Sequence, residues 1–192
     1  GARTLTVTAE FDAPAERVWQ MWADPRLLER WWGPPTYPAT FVDHDLAPGG
    51  DMRYFMTSPE GDRYHGWWQI IDVDEPKRIR FEDGFADADG NRNAEMPTTN
   101  AEVTIEERGH GRTCMTITST FPSTAAMEQL LTMGMEEGIT LAVGQIDELL
   151  AHPGVEEISE LRSTFGFMAF HGGSLEQMTD DIALAAAEQA GA

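Results

Sequence analysis

Cysteine is nearly missing from this chain. Cys114 is the only one in 192 residues, so no disulfide can form within the chain, and its setting among alternating strand residues predicts a small buried hydrophobe. Basic residues are also scarce: 13 Lys and Arg stand against 33 Asp and Glu, a formal charge of −20. Nucleic acid and anionic membrane surfaces require clustered cations, so neither is expected as a partner. The acidity would suit a cationic ligand or a basic partner, but solubility in an acidic proteome explains it more simply. No run of about eighteen apolar residues occurs, and the first residues lack the charged region and apolar core of a signal peptide. The expectation is a reduced, cytoplasmic protein without membrane attachment. A GxSxG elbow, a phosphate loop, a GxGxxG in strand-helix context and a CxxC pair are all missing, and no cofactor is expected.

What the chain does contain is a clear change of period. Residues 3–11 alternate, with Leu5, Val7, Ala9 and Phe11 on one face and threonines and Glu10 on the other, which predicts a half-buried strand. Asp12, Pro14 and Glu16 then suit a helix start, and Val18, Trp19 and Trp22 form an apolar stripe. Asp24-Pro25 ends that helix and starts a second, carrying Leu27, Leu28, Trp31 and Trp32 up to Gly33-Pro34-Pro35. Strands are expected near 37–46, 51–57, 63–73, 77–83, 99–107 and 112–121, and their short connections predict an antiparallel meander. From Ser123, a suitable N-cap, to about Ala151 the spacing becomes helical and predicts the longest helix of the chain. The fold class is therefore α+β: a helix-grip fold of about seven antiparallel strands curved around a long helix, with two short helices after strand one. The 41% apolar content is enough for a proper core.

Any chemistry should lie between sheet and helix. Trp22, Trp32, Tyr54, Met56, Met127 and Met135 are candidate wall residues, with Phe81 and Met115 in support and Leu131 on the same helix. Adjacent Trp67 and Trp68 must face opposite sides of their strand, so only one can point inward. The sequence does not choose between them; Trp67 is carried in the ligand-facing set. Gly134 and Gly138 each cost about 1 kcal/mol relative to alanine inside a helix, a cost that suggests room kept for a ligand. Methionine and aromatic rings would supply an adaptable apolar wall, although such stripes more often form close-packed core. His44 beside Asp43 and Asp45 is not a base-and-orienter pair, because adjacent strand residues diverge, and His65 is a weak acid-base candidate.

Four segments carry a resemblance: AERVWQMWADPRLLERWWGP, DLAPGGDMRY, YHGWWQIIDVDEPKRIRFEDGF and LLTMGMEEGITLAVGQIDELL. In this order they resemble the family named for its similarity to the activator of the Hsp90 ATPase, within the START-like, pollen-allergen-like (SRPBCC) helix-grip superfamily, over residues 3–151. The resemblance implies the fold and a ligand pocket. It does not imply one activity, since the family is functionally diverse.

Residues 152–192 fall outside that pattern and read as an appendage to a domain at 1–151. His152-Pro153-Gly154 breaks the helix, an acidic linker follows, residues 164–170 alternate like a strand, and an alanine-rich helix is expected over about 175–190. The segment FGFMAFHGGSLEQMTDDIALAAAEQAG resembles the start of poly-gamma-glutamate hydrolase-like proteins, which implies zinc ligation by His171 and Glu176. A catalytic zinc takes three protein ligands, however, and the 16 residues after Glu176 hold no histidine, so a metal is not expected. Phe165, Phe167, Met168 and Phe170 are too apolar to stand in water, and a strand there could extend a sheet edge of its own subunit or of a second copy, the latter giving a homodimer.

The leading functional expectation is a protein that binds a small apolar molecule between sheet and helix. The alternatives are an enzyme of cyclase or hydrolase type, which requires a buried ionisable group facing the cavity, and a chaperone-linked interaction module.

Overall fold

Alternation in the opening residues builds β1 (Thr4–Phe11), whose even-numbered residues face solvent while Leu5, Val7, Ala9 and Phe11 turn inward. The computed structural model describes residues 3–152. After β1 come α1 (Ala15–Ala23), α2 (Pro25–Trp31), β2 (Ala39–His44), β3 (Asp51–Thr57), β4 (Arg63–Asp74), β5 (Arg78–Ala86), β6 (Thr99–Gly109), β7 (Arg112–Thr120), α3 (Thr124–Thr132), α4 (Met135–Val143) and α5 (Ile146–Ala151). The strands form one antiparallel sheet in the order β1-β7-β6-β5-β4-β3-β2. It is the expected meander, with β1 returning to pair with β7.

Local chemistry explains the helix ends. The Asp24 carboxylate accepts from the Arg26 amide at 2.9 Å and so opens α2, and Ser123 Oγ accepts from the Ala126 amide at 3.0 Å and opens α3. At α1 the cap position is occupied by Pro14 with no side-chain bond, so Asp12 does not cap that helix. The stretch 123–151, expected as one helix, is three consecutive segments. Gly134 takes a φ of +92° between α3 and α4, a conformation open to glycine, and its amide bonds back to the Leu131 carbonyl at 3.0 Å.

The core fills the concave side of the sheet. Trp22, Trp31, Trp68, Phe81, Met52, Ile79, Val103 and Met115 are fully buried there, against Ile146, Leu149 and Leu150 of α5. Trp68 and Phe81 stack at 4.4 Å, and Trp22 meets Trp31 edge-on at 4.7 Å. Cys114 is buried, as its position on an alternating strand led one to expect.

Candidate functional site

Toward the β3–β5 end, the helices do not fill the concave face. A cavity of about 500 Å³ remains there between β3, β4, β5 and the start of β6 on one side and α3 and α4 on the other. Its wall is predominantly apolar, and no lysine or arginine contributes to it. Tyr64 and Met133, 57% and 56% exposed, stand at its rim, where Tyr64 meets Tyr37 ring to ring at 6.1 Å.

Strand register brings a polar group to the opposite, inner end of this apolar space. Tyr54 pairs with Gly66, Met52 with Trp68, Trp68 with Asp83 and Asp83 with Thr99, so Tyr54, Trp68, Asp83 and Thr99 share the concave face across four strands. Trp32, just past α2, leans over them with its ring 4.7 Å from that of Trp68 and 6.1 Å from that of Tyr54. Gly66 makes the arrangement possible: a Cβ there would sit 2.4 Å from the Tyr54 ring, which lies across the strand at that point.

Asp83 is half-buried and lies on the cavity wall. Burial raises its carboxyl from 3.8 to about 7, a rise that the Trp68 indole and the Gly84 amide beside it only partly oppose. The same burial, with the Asp83 charge adding to it, holds the Tyr54 phenol in its neutral form. The indole nitrogens of Trp32 and Trp68 approach the Tyr54 hydroxyl, and that of Trp68 also approaches Asp83, yet neither meets the geometry of a hydrogen bond. Trp32 Nε1, Trp68 Nε1 and Thr99 Oγ1 are buried without a partner among the described residues.

The expected site residues divide accordingly. Trp32, Tyr54, Met56, Met135 and Gly138 are on the cavity wall. Trp22, Phe81 and Met115 are instead packed into the closed core, where the Trp22 indole donates to Met115 Sδ at 3.3 Å. Trp67 belongs to the outer face of the sheet. Arg92 covers its ring at 3.9 Å and its indole donates to the Phe85 carbonyl at 3.0 Å, so it is Trp68 that faces inward. Leu131 gives its place to Leu130, because the break at Gly134 changes the helical phase, and Leu130 of α3 shares the wall with Met135 of α4. Met127, outside the wall, is only half-buried. His65 turns its ring onto Phe55 at 5.5 Å, on the face opposite Tyr64, and His44 Nε2 lies 3.0 Å from the Trp22 carbonyl, a tie between β2 and α1. His171 and Glu176 lie outside the described residues. Asp83 and Thr99 were not anticipated; the available signal was the alternation Phe81, Asp83, Phe85, which places an acid in an inward register.

The sequence model described as activator of Hsp90 ATPase homolog 1-like protein matches residues 12–151, and that of poly-gamma-glutamate hydrolase matches residues 145–192. Among solved structures, protein Ms6760 of Mycobacterium smegmatis is 52% identical with a TM-score of 0.72, over 78% of this chain and 91% of that one. A protein of Arthrobacter aurescens is 45% identical with a TM-score of 0.76, over 84% and 94% of the two chains. The AHSA1 protein of Silicibacter pomeroyi, 24% identical with a TM-score of 0.63 over 77% and 97%, shares the fold. No curated protein matches the chain.

Proposed function

Because this chain belongs to the family of activator of Hsp90 ATPase homolog 1-like proteins, which spans the segment bearing the cavity, we propose that it binds a small, largely apolar molecule between the sheet and α3–α4. The observation that carries this reading is the cavity itself. At about 500 Å³ it falls within the roughly 300–1,000 Å³ common for small-molecule sites, with an apolar wall and a few convergent polar groups. The exposed rim of Tyr64 and Met133 offers an apolar approach to it. In this reading the binding domain is 1–151 and residues 152–192 are an appendage. The acidic composition argues against nucleic acid as a partner. The buried cysteine suits a reducing compartment.

Gly138 supplies the test. A Cβ there would find only Pro34 Cγ, at 3.9 Å, so a large side chain would extend into the cavity. Native mass spectrometry of the purified protein, followed by denaturation and a metal assay on the released fraction, should reveal a small-molecule adduct that Gly138→Phe loses. An adduct that persists unchanged in that variant would place the molecule elsewhere and defeat the proposal. One observation favours a second reading, proton-transfer chemistry on the same scaffold: Asp83 is a half-buried acid on the cavity wall whose carboxyl is pushed up by desolvation.

A further inference from the structure

The inner end of the cavity holds more hydrogen-bonding capacity than the protein itself uses. An indole N–H can only donate, and that of Trp32, on the cavity wall, is buried and unpartnered beside the Tyr54 hydroxyl, while that of Trp68, in the core next to it, is unpartnered as well. Thr99 Oγ1 on the adjoining strand is buried and unpartnered as well. Leaving such groups unpaired is costly, and only an acceptor can satisfy the indoles. Asp83 lies in the middle of this group, and in its protonated form it is a further donor. Resting on the binding function proposed above, the geometry points to a subsite for an uncharged hydrogen-bond-accepting oxygen, such as a ketone or amide carbonyl, carried inward on an apolar body and held by Trp32, Thr99, Tyr54 and Asp83.

The charge environment sharpens the expectation. The titratable residues of the wall are Tyr37 and Tyr64 at the rim, Tyr54 from β3, Asp83 from β5 and His65, whose ring turns to the other face of the sheet. α3 and α4 contribute only Leu130, Met133, Gly134, Met135, Gly138, Ile139 and Ala142, none of which titrates. Asp83 is therefore the one acid facing the subsite among the described residues. Its ionisation, centred at about 7, turns a donor into a repelling anion, so a carbonyl ligand should be released as pH rises, while an ammonium ligand should bind more tightly.

Three probes with a common apolar body separate these cases: methyl naphthyl ketone, ethylnaphthalene and naphthylethylamine. Calorimetric titrations of the full chain would be run at about pH 5.5 and about pH 8.5, either side of the Asp83 transition. At the lower pH the ketone should bind about tenfold more tightly than the hydrocarbon, and most of that advantage should vanish at the higher pH. Asp83→Asn keeps an N–H donor and should retain the ketone preference with no such pH dependence. If ketone and hydrocarbon bind alike at both pH values, the subsite is refuted while the apolar cavity stands. Preference for the amine refutes it in favour of a cation site, and a pH dependence that persists in Asp83→Asn refutes the role of Asp83. If none of the three binds, the cavity function fails and this inference fails with it.

Discussion

Asp83 sits in a strand that would otherwise read as aromatic on its inner face, between Phe81 and Phe85. Its burial has a consequence for stability apart from any ligand. The unfolded chain loses this proton near the ordinary value of 3.8, whereas the folded protein holds it until about 7. Between those values the folded state binds more protons than the unfolded one, so this residue's contribution to stability falls as pH rises from about 4 to 7 and is level beyond. Asp83→Asn removes that loss. Denaturant titrations at about pH 4 and about pH 8 should show the variant gaining on the parent at the higher pH, by up to roughly 4 kcal/mol for a shift of about three units. Equal differences at both pH values would show that the carboxyl titrates normally. Composition alone gave no hint of this residue: 33 acids are present, and only the alternation of β5 combined with its pairing to Trp68 and Thr99 distinguishes this one.

At the scale of the element, the two glycines of the helical stretch have different roles that sequence spacing treats alike. Gly134 is required by its backbone: with φ at +92°, an alanine is strained even though nothing lies within 4 Å of its Cβ position. Gly138 has ordinary helical geometry and open space beside it, so an alanine there gains helix propensity at no steric cost. Thermal unfolding should therefore show Gly134→Ala destabilised by about 1 kcal/mol and Gly138→Ala stabilised by up to about 1 kcal/mol. Matching effects of one sign would contradict the break between α3 and α4. That break also explains why the periodicity of 123–151 led to Leu131 where Leu130 lies on the wall. A helical pattern records which residues share a face only while the helix is continuous. Strands were easier to read, because period-two alternation survives small errors at their ends; β3 and β7 lie within a residue of where alternation and turn residues put them.

For the whole molecule, the prediction concerns assembly. The tail from residue 152 carries four large apolar residues between 165 and 170, and we expect it to join two copies. Light scattering on the full chain and on a form ending at Ala151 should give a dimer and a monomer; the same mass for both would exclude the tail as the contact.

Fold and cavity stand differently in relation to the sequence. Alternation, helical spacing and turn residues act between near neighbours along the chain, so sequence alone determined the order and type of elements up to Ala151, but not the division of the last helical stretch into α3, α4 and α5. The order from β2 to β7 followed, because consecutive strands joined by turns readily pair, whereas the pairing of β1 with β7 is a tertiary outcome. Tertiary structure alone decided that Trp68 rather than Trp67 faces inward, that Trp22, Phe81 and Met115 close the core, and that Trp32, Asp83 and Thr99 meet at one point. Those outcomes depend on cross-strand register, on the covering of one face by Arg92 and on the helix break at Gly134, which bring together residues from distant parts of the chain. Burial and the pKa of Asp83 are properties of that meeting, and no local pattern encodes them.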